Sequence, residues 1–161
     1  MKFDKNILLL GISLLLLIVF LVCIVPMPSR VDLSLQGCSV TYDAAPQENV
    51  TVTLNGKLRN YLLVTDEMTA DITITYESGT AITAESVGPF LQTSDDIIVC
   101  KLYYNDSDAN RYDGGYMAYS TNLDCLILEG VTDGRYYIAS ADPDADPQEL
   151  MSFFSVLTER D

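Results

Sequence analysis

The chain has 161 residues, 9 of them basic and 23 acidic, for a formal net charge of −14, and it contains neither His nor Trp. A surface this acidic repels nucleic acid, whose phosphates are recognised chiefly by Lys and Arg, so nucleic acid is excluded as a partner. Without histidine, Ser-His-Asp and Cys-His catalysis are excluded in their ordinary forms.

The first element is an uncharged apolar run, Ile7 to Met27, ILLLGISLLLLIVFLVCIVPM. As a helix it is about 31 Å long at 1.5 Å per residue, the thickness of a bilayer's hydrocarbon core. Lys2 and Lys5 precede it and acidic sequence follows, a bias that predicts a cytoplasmic N-terminus and an extracytoplasmic main domain. The expected organisation is a cytoplasmic N-terminus (1–6), a single-pass anchor (7–27), a tether (28–30) and a β-rich domain (31–161) at the cell membrane. A cleaved signal peptide is the alternative, but its apolar core is shorter and a small-x-small site follows it. Here Met27 occupies the −3 position of a cut after Ser29. Lipidation at Cys23 or Cys38 is the third reading; Phe20-Leu21-Val22 before Cys23 is too bulky, and Cys38 lies well past the apolar run.

Beyond Met27 the periodicity is two. Val31, Leu33 and Leu35 alternate, then the apolar set becomes Cys38, Val40 and Tyr42, a slip that predicts a β-bulge at Gln36-Gly37. Val50, Val52 and Leu54 form a half-buried strand, with Asn55-Gly56 a candidate hairpin turn. Tyr61 to Val64 reads as a short strand. Asp71 to Tyr76 alternates strictly, with Ile72, Ile74 and Tyr76 inward, and Ser78-Gly79 turns the chain. Residues 80–95 read as an edge strand before Gly88-Pro89. Ile97 to Tyr104 is apolar on both faces, as in a central strand. A polar loop over Asn105 to Gly115 precedes strands at Tyr116–Ser120, Cys125–Glu129 and Arg135–Ser140, the last entered through the turn Thr132-Asp133-Gly134. About eight strands at this spacing predict a mainly-β domain, an antiparallel sandwich or partly open barrel.

The period changes at Asp146-Pro147-Gln148-Glu149, which has the form of a capping box with Pro at the first helical position. Leu150, Phe153, Phe154 and Leu157 then make one apolar stripe, so a C-terminal helix should pack across the sheet.

Cys38, Cys100 and Cys125 fall in the outer domain, which allows one disulfide and a free thiol, or three buried apolar side chains. Asp106, Asp108 and Asn110 have the 1-3-5 spacing of a calcium loop. Arg111 stands where that loop needs Gly, and Met117 where it needs Glu, so this is no EF-hand; a looser metal site and plain loop acids both remain open. Asp142, Asp144 and Asp146 repeat the spacing with Pro147 at the sixth position. No phosphate-cradling glycine motif is present, and no cofactor is implied. All ten tyrosines lie beyond the apolar run, and Tyr103, Tyr104, Tyr112, Tyr116 and Tyr119 are the candidate ligand-binding row, flat apolar rings with polar tips.

A lone apolar anchor before an acidic strand-rich unit, with strands and a capped helix from Tyr116 to Leu157, resembles the small signal-anchored extracytoplasmic proteins of Gram-positive bacteria. That resemblance implies no active-site residues. The leading expectation is a non-enzymatic, membrane-tethered domain binding a protein or envelope polymer. The alternatives are an accessory subunit associating through its anchor, where Gly11 and Ser13 permit close helix approach, and a carboxylate-based envelope hydrolase.

Overall fold

The computed structural model describes residues 5–41, 45–61, 65–93, 96–105, 111–130 and 134–154, without the side chains of 6–8, 22–24, 92–93, 105 and 111–113. Helix α1 (Lys5–Ile24) is followed by strands β1 (Met27–Val40), β2 (Pro46–Asn60), β3 (Glu67–Tyr76), β4 (Ala81–Pro89), β5 (Gln92–Thr93), β6 (Ile97–Asn105), β7 (Arg111–Ser120), β8 (Cys125–Glu129) and β9 (Tyr136–Ser140), then helix α2 (Pro147–Phe153). Among the described residues, no helix is long and apolar enough to cross a membrane. The described side chains of α1 beyond Lys5 run from Leu9 to Leu21, all exposed and none charged.

The strands close into an eight-stranded antiparallel barrel. Strands β1 to β4 pair in sequence order, as do β6 to β9, β9 returns to β1, and β4 pairs with β6 through Ala84–Tyr104, Glu85–Tyr103 and Ser86–Leu102. Two-residue β5 extends that same edge of β6 through Gln92–Val99 and Thr93–Ile98. The expected sandwich or open barrel is therefore corrected to a closed one: residues 81–89, read as an edge strand, supply the closing ladder. Closure removes the strand edges that an open sheet exposes.

Alternation fills the interior. Val31, Leu35, Val52, Leu54, Ile72, Ile74, Leu102, Met117 and Leu128 converge there with Tyr119 and Tyr137, each nearly or wholly excluded from solvent. An eight-stranded barrel is just wide enough for side chains to fill. The Tyr76 and Tyr137 hydroxyls share a 2.9 Å hydrogen bond, so two aromatic side chains enter with their polar tips paired.

A second apolar cluster lies outside the barrel. Val40, Val99, Ala118, Ile127, Tyr136 and Ile138 face outward and are covered by Met151 and Phe154. This outer cover explains why β6 reads as apolar on both faces. It also overturns the bulge expected at Gln36-Gly37. The β1–β2 register runs unbroken from Met27–Asn60 to Ser39–Glu48, and the slip comes only between Ser39 and Val40. The apolar set changes parity because the outer face of β1 passes beneath the helix-covered region at Cys38 and Val40, while Gly37 takes the inward position.

Other local expectations are revised too. Asn55-Gly56 is no turn: β2 runs straight through it, and a Cβ on Gly56 would lie 2.3 Å from the Thr69 carbonyl oxygen. Tyr61 ends β2 rather than opening a strand, and 62–64 lie outside the described residues, as do 131–133 of the Thr132-Asp133-Gly134 turn. The loop read over 105–115 is shortened by β7, which starts at Arg111. A real bulge occurs there: Lys101 pairs with Tyr116 and Tyr103 with Asp113, which leaves Gly114 and Gly115 opposite Leu102. Gly115 has φ +91°, a conformation that Gly adopts without penalty. The expected tether over 28–30 is already part of β1.

Helix α2 begins as its sequence requires. Asp146 is the N-cap and accepts a 2.9 Å hydrogen bond from the Gln148 amide, with Pro147 opening the first turn. Its buried residues are Met151 and Phe154, with Leu150 partly covered. Phe153, expected in the apolar stripe, is 39% exposed and stacks edge-on against Phe154 at 4.9 Å; Leu157 lies outside the described residues.

Candidate clefts beside helix α2

The tyrosine row does not assemble on one face, because neighbouring residues of a strand point to opposite sides of the barrel. Tyr104 and Tyr119 are inward and buried, and the Tyr104 hydroxyl donates to the Glu129 carbonyl at 2.9 Å. Tyr103 and Tyr116 are half-buried. Tyr103 carries the Lys101 ammonium 5.6 Å from its ring centroid, and Tyr116 packs against the outer cluster. Tyr112 pairs with Tyr104 in the ladder, but its side chain is outside the described set. Asp106, Asp108 and Asn110 lie wholly outside the described residues. Among the described residues, no group of three or more metal-ligating side chains comes together.

Cys38, Cys100 and Cys125 are free. Cys100 points into the barrel and its thiol is pushed up to about 12, first by burial, with the neighbouring Tyr119 and Ser86 hydroxyls opposing the shift. Cys38 and Cys125 are half-buried on the outside, and burial raises both. A thiol held protonated is a poor nucleophile. The Tyr119 hydroxyl, beside the Cys100 thiol, is buried without a hydrogen-bond partner of acceptable geometry. Burial shifts it upward as well, and the neighbouring Cys100 adds to the shift.

Two measurements follow from this buried group. Tyr119→Phe should leave stability unchanged or raise it by about 1 kcal/mol, because it removes an unsatisfied buried hydroxyl and keeps the edge-on contact with Phe90. A loss above about 2 kcal/mol in urea unfolding would mean the hydroxyl is satisfied. In the second, burial raises the Cys100 thiol above its ordinary value of 9.0, so stability is unaffected below pH 9 and falls as pH rises toward 12. Melts taken from pH 8 upward should fall steadily, and Cys100→Ala should flatten part of that fall.

Two concave surfaces lie beside α2, one on each side, and another of about 490 Å³ lies over β1–β3, lined by Arg30, Lys57, Arg59 and Asp71 among others. The first, about 440 Å³, is lined by Gln36, Cys38, Asn49, Glu77, Asp142 and Leu150 among others. The Asn49 amide donates to Glu77 at 2.7 Å, and Asp142 accepts from the Asp144 amide at 3.0 Å, which fixes two carboxylates on its rim. The second, also about 440 Å³, is lined by Asp96, Asn122, Asp124, Glu149, Leu150 and Phe153 among others. Ser120 organises one part of its rim: the hydroxyl donates to Asp124 and accepts from the Asp124 and Cys125 amides at 3.1 and 3.2 Å. The Ser120 hydrogen bond holds the Asp124 carboxyl below its usual range, so it stays ionised.

Leu150 lines both clefts, with α2 as the ridge between them. Among the described residues, neither cleft has a Lys or Arg in its lining. Each therefore combines an apolar floor with uncompensated carboxylates, which suits a cationic group on an apolar stem. The sequence carries this weakly: Asp142 reads as part of a calcium-loop-like spacing or as a loop acid, and Glu77 and Asp96 have no pattern around them. No protein-family model matches the chain, and no curated protein or solved structure matches it.

Proposed function

We propose that the chain is a membrane-anchored extracytoplasmic binding domain whose two clefts beside α2 take a cationic segment of a protein or envelope polymer. The observation that carries this reading is the pairing of acidic rims with an apolar floor on both sides of one short helix, on a barrel whose interior is filled. The anchor reading is supported by α1: Leu9, Leu10, Leu16 and Phe20 are each more than 60% exposed, and a helix apolar all round needs a non-aqueous surrounding.

The test is calorimetric titration of a lysine-rich extended peptide into the full chain in detergent. Glu77→Gln with Asp142→Asn, and Asp96→Asn with Glu149→Gln, remove rim charges from one cleft at a time. Either pair should weaken binding about five- to tenfold, the effect of losing one or two exposed charge contacts. Binding that ignores both pairs, or is absent at low salt, rules the clefts out.

A further inference from the structure

Among the described residues, one long stretch of β1 is paired on one side only. Strand β9 pairs with β1 only over Gln36–Val40, whereas β2 pairs with β1 from Met27 onward. Among the described residues, no strand pairs with the other side of Met27–Leu35. That unpaired side is nine residues long, roughly 30 Å of strand. The Arg30, Asp32 and Ser34 side chains on the outer face of this segment are exposed, while Val31 and Leu35 point inward. Pro28 suits such a place, since a residue without an N–H is confined to strand edges.

The sequence of this edge is self-complementary. Antiparallel pairing of two copies that uses the whole edge must centre on Val31, its middle residue. Met27 then faces Leu35 of the second copy, and Arg30 faces the second copy's Asp32. The two-fold axis repeats the match, so each Arg30 lies opposite an Asp32. In a single copy these two side chains already meet at 3.3 Å while both remain largely exposed. Met27, 58% exposed in one copy, gains an apolar neighbour. Every other register leaves part of the edge open or sets the charges out of step.

We infer that the open edge of β1 pairs antiparallel with the same edge of a second copy, across a two-fold axis at Val31. The charge match distinguishes this occupant from an unrelated extended peptide, to which Arg30 and Asp32 would have no fixed partner. Opposite charges directly across a ladder stabilise it and like charges oppose it. A two-fold of this kind places the two α1 helices at opposite ends of the shared ribbon. Both enter one membrane when the ribbon lies along its surface. The inference goes beyond the binding reading and does not depend on the clefts.

The experiment measures the mass of the full chain in detergent by light scattering, for four proteins and one mixture. The unaltered chain should be a dimer. Arg30→Asp places two carboxylates opposite two others, and Asp32→Arg does the same with cations, so each should raise the dimer dissociation constant at least about tenfold. Mixing these two variants makes every facing pair opposite in sign, and a mixed dimer should return. The double exchange, Arg30→Asp with Asp32→Arg, should restore the homodimer. The mixture also excludes misfolding as the cause of either loss. A monomeric unaltered chain overturns the inference, as does a dimer indifferent to the single reversals, which would be held elsewhere, for example by α1. Loss without rescue by mixture or exchange overturns the register.

Discussion

Phe154→Ala should release α2 from the barrel and cost about 3–5 kcal/mol, the range for deleting a buried Phe. Phe154 has no exposed surface and sits with Val40, Val99, Ala118, Ile127 and Ile138 in the outer cluster. A seven-residue helix is too short to persist alone, so its position depends on this packing rather than on its own hydrogen bonds. Loss of Phe154 leaves Met151 as the other buried contact of α2. Both clefts share Leu150 and should disappear together, taking the affinity for a cationic peptide with them. The thiols of Cys38 and Cys125 should then become accessible to alkylation while Cys100 stays protected inside. Phe153→Ala, at a 39% exposed position, should cost under about 1 kcal/mol and leave thiol protection unchanged. Equal effects from the two substitutions would show that α2 is not anchored through Phe154. Loss of the whole strand signal would show that the outer cluster, and not only the interior, holds the barrel closed.

The contrast between those two phenylalanines also marks how far the sequence could be read. The capping box at Asp146 and the apolar spacing gave the helix and its outside position, because both are local signals. Which of two adjacent aromatics is buried depends on the angle at which the helix meets the sheet, and that is a tertiary quantity. The same division runs through the strands. Asp71–Tyr76 and Cys125–Glu129 were legible because one face meets the core and the other meets water or a single neighbour. Barrel closure was not, since it rests on three pairs between β4 and β6 in a region with little alternation. The tyrosines misled for a simpler reason: period two puts Tyr103 and Tyr104 on opposite sides, so a cluster in sequence is split in space. The clefts draw Glu77, Asp96 and Asp142 from separate turns, and no spacing rule connects them.

Gly37→Ala should be among the most damaging small substitutions in the chain, costing about 3 kcal/mol or more, the upper range of core overpacking. A Cβ built on Gly37 would lie 1.8 Å from the Ile138 carbonyl oxygen and 2.6 Å from the Ala139 Cα. Both atoms are backbone, so no rotamer change relieves the clash; β1 and β9 must move apart. Those two strands meet over only five residue pairs, Gln36–Ser140 to Val40–Tyr136, the seam that joins the β1–β4 half of the barrel to the β6–β9 half. The substitution should therefore lower protection of β9 amides from hydrogen exchange more than that of β3 amides, which lie away from the seam. Gly79→Ala provides the comparison. It adds a Cβ in open space but at φ +85°, and should cost only the 1–2 kcal/mol of a left-handed residue in a surface turn. A bulge at Gly37 would make the two substitutions alike, since conformational freedom alone would be lost at each. Close approach of two backbones makes them differ, with the larger cost at the position whose φ any residue could adopt.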